Sequence, residues 1–228
     1  MKSAITAIEA VAKQTDSVIL FHSASGKDSI ALLDLIHPYF KRVVCVYMYV
    51  VKDLSHINRY INYAKQKYKN AEFIQVPHFA VYSYIKYGHL GKECNPKQRL
   101  YTMAQLTEIV KERYGVEWSF FGFKKSDSMN RRLMLKTYDQ EAINWETKKC
   151  YPLSAYKNKD VLAYITKQSL IQPEKYGVSQ SAGTDICDIN YLLFLREKFP
   201  HDLEKVVEEY PLVERILFEY DYERAKTE

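Results

Sequence analysis

One short apolar run, followed directly by a polar loop, constrains the fold of this chain more than any other feature. Residues 18–21 are consecutively apolar, a pattern typical of a strand that is buried on both faces of a parallel sheet. Residues 22–29 are polar and contain Gly26, and the apolar positions of residues 30–36 then repeat at helical spacing until Pro38. This strand, loop and helix predict the first unit of a parallel α/β fold.

The same alternation continues along the chain. The predicted strands are residues 18–21, 43–51, 73–76 and 118–123, with a short extended segment at 150–153. The predicted helices are residues 3–13, 30–36, 54–68, 79–114 with an interruption at 88–96, and 159–167. From Asp188 the pattern is helical with breaks at Pro200 and Pro211, because proline cannot continue a helix. Strands that alternate with helices favour a twisted, Rossmann-like parallel sheet between layers of helices, joined by right-handed crossovers.

Length and composition limit the domain organisation and the class of protein. At 228 residues, one large domain is favoured: the α/β unit over residues 1–170, and a loop and helical extension over residues 171–228 packed on the same domain. Hydrophobic residues at 47% and charged residues at 27% exclude collagen-like, disordered and membrane classes. No apolar run approaches ~18 residues, and the first residues contain no signal-peptide core. We therefore expect a cytoplasmic protein that does not bind membranes.

The net charge and the spacing of the cysteines indicate which kinds of ligand the chain is expected to bind. The net charge of +5 fits phosphate-bearing ligands. A nucleic-acid acceptor is compatible with this surplus, but no recognised binding motif supports one. The four cysteines, Cys45, Cys94, Cys150 and Cys187, are widely separated and form no CxxC pair. We therefore expect neither a zinc site nor an iron–sulfur cluster.

The loop after the first strand is the first candidate site. At the carboxyl end of a parallel strand, a ligand meets a helix N-terminus whose unpaired N–H groups and dipole favour phosphate. Asp28 is unusual there, because a carboxylate repels phosphate unless it holds a cation such as Mg²⁺ or caps the helix. The candidate binding residues of this loop are Ser23, Ser25, Gly26, Lys27, Asp28 and Ser29.

This loop lacks the spacing of a Walker A motif. Residues 24–29, Ala-Ser-Gly-Lys-Asp-Ser, instead resemble the Ser-Gly-Gly-x-Asp-Ser pyrophosphate loop (PP-loop) of the adenine-nucleotide alpha-hydrolase superfamily. Ala24 replaces the leading serine and Ser25 the first glycine, while Ser23 offers a hydroxyl one position earlier. The resemblance implies that Lys27 and Asp28 are catalytic, and that Asp28 helps to place Mg²⁺ beside ATP.

A second motif follows the fourth predicted strand. Residues 122–132, Gly-Phe-Lys-Lys-Ser-Asp-Ser-Met-Asn-Arg-Arg, resemble the Gly-x-Arg-x-x-[Asp/Glu]-Ser-x-x-Arg signature of the phosphoadenosine phosphosulfate (PAPS) reductase family within that superfamily. Lys124 keeps the charge of the family's arginine without its bidentate geometry. The resemblance implies binding of phosphate or acceptor by Lys124, Asp127, Ser128 and either Arg131 or Arg132.

Residues 151–165 also resemble this family, through its "Pro-Leu, then Lys-Asp-Val-x-x-Tyr-Ile" segment, so that the likeness extends over about residues 17–168. The family implies an adenine nucleotide, ATP or PAPS, as the ligand. Fold alone does not choose between the chemistries of its members, which include sulfonucleotide reduction, ATP sulfurylation and activation steps in sulfur transfer or nucleic-acid modification.

Two features favour ATP. ATP-cleaving relatives retain the Lys-Asp-Ser core, which is present at residues 27–29, and the Glu-Cys-Gly-x-His element of the reductases is missing. The expected reaction is cleavage between the α and β phosphates, with release of pyrophosphate and transfer of AMP to an unknown acceptor. The alternatives are a PAPS or adenylyl-sulfate reductase that uses Cys187 or Cys94, and a nucleotide-binding subunit whose chemistry depends on a partner protein. Whether the chain forms a homo-oligomer stays open.

Overall fold

The computed structural model describes residues 1–21, 24–176 and 185–227. The strands are β1 (Ser17–Phe21), β2 (Arg42–Tyr49), β3 (Ala71–Pro77), β4 (Trp118–Phe121), β5 (Ile143–Asn144) and β6 (Lys149–Cys150). The helices are α1 (Lys2–Ala12), α2 (Lys27–Ile36), α3 (Ser55–Lys67), α4 (Phe79–Tyr87), α5 (Met103–Tyr114), α6 (Met129–Lys136), α7 (Asn158–Lys167), α8 (Ile189–Lys198), α9 (Pro200–Glu209) and α10 (Val213–Thr227). Among the residues described, no helix combines the length and apolar character that crossing a bilayer requires.

The strands form one six-stranded sheet in the order β3-β2-β1-β4-β6-β5. The first four strands and β6 run parallel, and β5 is antiparallel to β6. The predicted parallel α/β fold, with a helical C-terminal region, is confirmed.

Helices cover both faces of the sheet, as the apolar β1 sequence predicts. Val18 and Leu20 pack into a large core with α1, α2, α3, α7 and the C-terminal helices. Ile19 and Phe21 point to the opposite face, where α5 and α6 cover a smaller core. Successive residues of a strand alternate between faces, so that residues 18–21, which are apolar throughout, contribute to both cores.

The strand order places a crevice at the carboxyl end of β1. The chain passes from β1 through α2 to β2 on one flank, whereas β4 lies on the other flank. The connection that follows β1 leads to β2 on one side, and the connection that follows β3 leads to β4 on the other side. Ligands of open α/β sheets bind where the strand order reverses in this way. The loops after β1 and β4 border this crevice.

Several local predictions differ from the structure: β2 ends at Tyr49, α2 begins at Lys27, and the short strand β5 was not predicted. Strand β4 ends at Phe121, two residues before its predicted end. Helix α6 lies where only a polar loop was predicted, because the Ser128 hydroxyl accepts a hydrogen bond from the N–H of Arg131 and caps a mostly polar helix. The interruption after α4 extends to Thr102, whose side chain forms a capping box with Gln105 at the start of α5.

A buried hydrogen-bond network around Asp202 and His56 joins the C-terminal helices to α3. The Asp202 carboxylate, on α9, accepts hydrogen bonds from the N–H groups of Ser55 and His56 at 2.7 and 3.0 Å. It also lies 2.8 Å from Nδ1 of His56, whose Nε2 is 3.1 Å from the Tyr191 hydroxyl on α8. Asp202 thus satisfies the orphan N–H groups at the start of α3 from a distant part of the chain.

We predict that Asp202→Ala lowers the free energy of unfolding by about 3–5 kcal/mol, because it leaves a buried imidazole and two N–H groups without their acceptor. Urea denaturation followed by circular dichroism measures the change. Asp221→Ala is the matched control: its partner Arg196 is exposed, so that the loss there should stay below about 1 kcal/mol. Equal losses in the two variants would show that Asp202 has no special role.

Candidate active site

The loop after β1 brings a helix N-terminus to the carboxyl edge of the sheet. Helix α2 begins at Lys27, and Gly26 is its N-cap residue. Ala24 has a φ of 55°, in the left-handed region that favours glycine. Such strained positions concentrate at functional sites. The first N–H groups of α2 therefore face the crevice from a strained, tightly turned loop.

The loop after β4 contributes a buried ammonium group to the same place. Lys124 is 1% exposed, and its Nζ lies 2.6 Å from Oδ2 of Asp28 and 3.1 Å from Oδ1 of Asp127. The Lys27 ammonium, also buried, is 3.3 Å from the same oxygen of Asp28. Two ammonium groups from different loops thus share one carboxylate oxygen at the start of α2.

This contact depends on a close approach of the two backbones. A Cβ added at Gly122 would lie 3.0 Å from Cβ of Asp28, which is too close for an ordinary side chain without displacement of one loop. Gly122 therefore allows the β4 loop to pass directly over the first turn of α2.

Arg131 extends the ionic network toward solvent. Its guanidinium group is 2.9 Å from Oδ2 of Asp127 and lies 3.9 Å above the ring of Phe123. Burial alone would raise the pKa of Asp127, but the hydrogen bond from the Lys124 N–H and the charges of Lys124 and Arg131 hold that pKa below its usual range. Asp127 is therefore ionised at neutral pH.

The structure sorts the predicted site residues into groups. Lys27, Asp28, Lys124, Asp127 and Arg131 form one connected network. Ser25 and Gly26 precede α2, and Ser29 lies buried in its first turn. Ser128 caps α6, and the exposed Arg132 reaches only the Lys125 carbonyl, at 3.3 Å. Ser23 lies outside the described residues.

The exposed thiols have their contacts elsewhere, around α4. Cys94 donates to the carbonyl of Lys86 at 3.3 Å, and Sγ of Cys187 is 3.7 Å from Nε2 of His89. Burial and the neighbouring Asp185 carboxylate raise the pKa of Cys187, which disfavours its nucleophilic thiolate form. Cys45 and Cys150 are buried in the core.

A cavity of about 280 Å³ opens at the carboxyl ends of β2 and β3, on the same edge of the sheet as the network. It is lined by Met48, Val50, His78, Ala80, Tyr84, Asp185 and Ile186. Burial lowers the pKa of His78, so that its imidazole is neutral at pH 7. None of these residues belongs to the motifs that the sequence shares with the family. His78 directly follows the end of β3, and this position in the sequence could have identified it as a candidate site residue.

A larger cavity, of about 730 Å³, lies at the opposite edge of the sheet, near the start of β4. Four glutamates line it, Glu108, Glu112, Glu117 and Glu146, against two lysines. Its carboxylates repel phosphate, which makes it a poor site for a nucleotide.

Comparisons with known proteins agree with this architecture. Residues 18–176 match the family model of the phosphoadenosine phosphosulfate reductase domain. A crystal structure of PAPS reductase from Candida auris, a phosphate complex, superposes with a TM-score of 0.50 at 16% identity, covering 80% of this chain and 90% of that chain. The U34-tRNA thiolase NcsA from Methanococcus maripaludis, with its 4Fe-4S cluster, gives a TM-score of 0.43 at 16% identity, over 92% and 79% of the two chains. No curated protein matches the sequence significantly.

The cofactor expectation was wrong. We expected no zinc or iron–sulfur cluster, yet the U34-tRNA thiolase carries a 4Fe-4S cluster. Within the described ranges, no three His, Cys, Asp or Glu side chains form a group that could hold a metal ion. The expected Mg²⁺ role of Asp28 is not retained either, because its Oδ2 faces the ammonium groups of Lys124 and Lys27, whose positive charge repels a cation.

We predict that Gly122→Ala weakens binding of inorganic pyrophosphate by separating the β4 loop from Asp28, and destabilises the fold by about 1–3 kcal/mol through overpacking. Isothermal titration calorimetry and urea denaturation measure the two effects. Gly115→Ala is the control: Gly115 has a positive φ and open space around its Cβ position, so that this variant should lose stability but keep its pyrophosphate affinity. Unchanged affinity in Gly122→Ala would contradict the close-approach argument.

Proposed function

Because this chain belongs to the phosphoadenosine phosphosulfate reductase domain family, we propose that it is an enzyme that binds an adenine nucleotide at the carboxyl edge of its sheet. The proposed reaction cleaves ATP between the α and β phosphates and transfers AMP to an acceptor. One observation carries this proposal: the buried ammonium groups of Lys27 and Lys124 converge at the N-terminus of α2.

In the proposed reaction, an acceptor atom attacks the α-phosphorus with its electron pair. The bond from the α-phosphorus to the bridging oxygen breaks, and pyrophosphate leaves with the electron pair of that broken bond. The proton of the acceptor passes to solvent. Negative charge grows on the leaving pyrophosphate. The Lys27 ammonium and the first N–H groups of α2 stabilise this charge, and Lys124 with Arg131 supplies further positive charge at the same edge.

The cavity at the carboxyl ends of β2 and β3 suits the adenine base. Neighbouring strands lie about 4.8 Å apart, so that the carboxyl ends of β2 and β3 are roughly 5–10 Å from the loop after β1. An extended nucleotide spans this distance between its phosphates and its base. Met48 and Tyr84 offer apolar surface to a planar ring, and the neutral imidazole of His78 can hydrogen-bond to it.

ATP is favoured over a sulfonucleotide by the position of the thiols. Reduction of a sulfonucleotide needs a thiolate to attack the sulfonyl sulfur, whereas α–β cleavage needs only positioning and charge stabilisation of phosphates. Among the residues described, the contacts of Cys94 and Cys187 are with Lys86 and His89, outside the ionic network.

A PAPS or adenylyl-sulfate reductase is the second candidate, and the contact between Cys187 and His89 favours it. An imidazole that accepts a thiol proton is a common way to generate a nucleophilic thiolate. The raised pKa of Cys187 opposes this activation.

Product analysis decides between these functions. The protein is incubated with ATP or with PAPS in a magnesium-containing buffer, and AMP, pyrophosphate and sulfite are separated. We expect AMP and pyrophosphate from ATP, at unchanged rates in Cys94→Ser and Cys187→Ser. Sulfite from PAPS that disappears in either variant, with no action on ATP, would establish the reductase. Binding without turnover of either nucleotide would indicate a nucleotide-binding subunit.

We predict that Lys27→Ala reduces ATP affinity or turnover roughly 10- to 150-fold, because it removes one charge-assisted contact to phosphate. Calorimetry and the pyrophosphate-release assay measure the two quantities. Lys41→Ala is the charge-matched control, since Lys41 is exposed and pairs with Asp16 before β2. Equal activity in Lys27→Ala and Lys41→Ala would remove this loop from the proposed site.

A further inference from the structure

The buried Lys124 ammonium has two carboxylate partners in a site that is proposed to bind phosphate. Asp28 lies at 2.6 Å and Asp127 at 3.1 Å. A buried ammonium group needs a counter-ion, but a carboxylate at this position competes with any phosphate that approaches the same cation. Because Lys124 is 1% exposed and two of its three N–H donors face carboxylates, a polyphosphate gains close contact with this ammonium group most readily when one carboxylate moves away.

The geometry distinguishes the two carboxylates. Asp127 also accepts the N–H of Lys124 at 2.9 Å and pairs with Arg131 at 2.9 Å, so that it stays fixed if Lys124 changes partner. Oδ2 of Asp28 meets only the two ammonium groups, and its buried Oδ1 has no hydrogen-bond partner among the described residues. Asp28 is the more easily displaced carboxylate.

We propose that Asp28 is an internal counter-ion of Lys124, and that the ligand's pyrophosphate group displaces it. This inference rests on the proposed function, which supplies the phosphate ligand. The pyrophosphate group as a whole carries more negative charge than the single carboxylate that it displaces, and the exchange therefore favours polyphosphates over singly charged anions such as acetate. Asp28 itself stays in the first turn of α2, where the helix dipole stabilises a carboxylate.

This role predicts the sign of a binding change. Asp28→Asn removes the competing charge but keeps an oxygen that can accept a hydrogen bond from Lys124. We expect inorganic pyrophosphate, titrated by calorimetry in a buffer without divalent cations, to bind Asp28→Asn about 10-fold more tightly than the wild-type protein. A merely structural role, or a role in holding a cation beside the ligand, gives no such gain. Unchanged or weaker binding would therefore overturn the proposal.

Two further variants identify Lys124 as the cation for which Asp28 competes. Asp34→Asn removes the same charge from the same helix, but Asp34 pairs with Lys67, so that pyrophosphate affinity should stay within about two-fold. In a Lys124→Met background, Asp28→Asn should bring no gain. A gain that persists without Lys124 reflects general electrostatics and overturns the proposal. The double variant, Lys124→Met with Asp28→Asn, lacks both the ammonium group and the carboxylate that it contacts. It therefore leaves neither of these two groups buried without the other, and it can be measured if one single variant folds poorly.

The outcomes separate this inference from the proposed function. Pyrophosphate release from ATP by the wild-type protein, with no gain in affinity for Asp28→Asn, would sustain the function and reject the displacement. Tighter pyrophosphate binding by Asp28→Asn, with no cleavage of ATP, would sustain the displacement and reject the function.

Discussion

The contact between the Lys124 ammonium and the Asp28 carboxylate, at 2.6 Å, is the interaction on which the rest of this site depends. It joins the loop after β1 to the loop after β4, which are almost one hundred residues apart in the chain. The parallel pairing of these strands brings the loops to one edge, and Gly122 lets them touch. The buried ammonium groups of Lys27 and Lys124 thereby each contact a carboxylate, without which their burial would be strongly disfavoured.

The C-terminal helices complete the same edge of the sheet. Asp202 holds the start of α3 through two N–H groups and the His56 ring. Tyr191, which hydrogen-bonds to that ring, lies on the helix that follows Asp185 and Ile186 in the chain. Those two residues line the cavity at the carboxyl ends of β2 and β3. A network of mainly structural character thus supports one wall of the proposed base site.

The positions of the charged groups and the thiols distinguish the two reactions proposed for this chain. Lysine ammonium groups converge where phosphates are proposed to bind, whereas the pKa of the exposed Cys187 thiol is raised by burial and by Asp185. Electrostatic stabilisation of a leaving pyrophosphate needs the first arrangement, and nucleophilic attack on sulfur needs a low thiol pKa. The convergence of the lysines and the raised pKa of the Cys187 thiol are the grounds on which α–β cleavage is proposed for this chain.

The sequence by itself determined the parallel sheet, because short, mainly apolar strands such as residues 18–21 can be buried on both faces and alternate with helices. It also indicated the two basic loops, since residues 24–29 and 122–132 each follow an apolar predicted strand. Only the tertiary structure decided that Arg131 and not Arg132 joins the network, that Asp28 faces Lys124 and Lys27, and that His78 and Tyr84 line a cavity. The physical reason is that local pattern fixes hydrogen bonding and burial within an element, whereas the partner of a charged side chain depends on strand order and on how closely distant backbones approach.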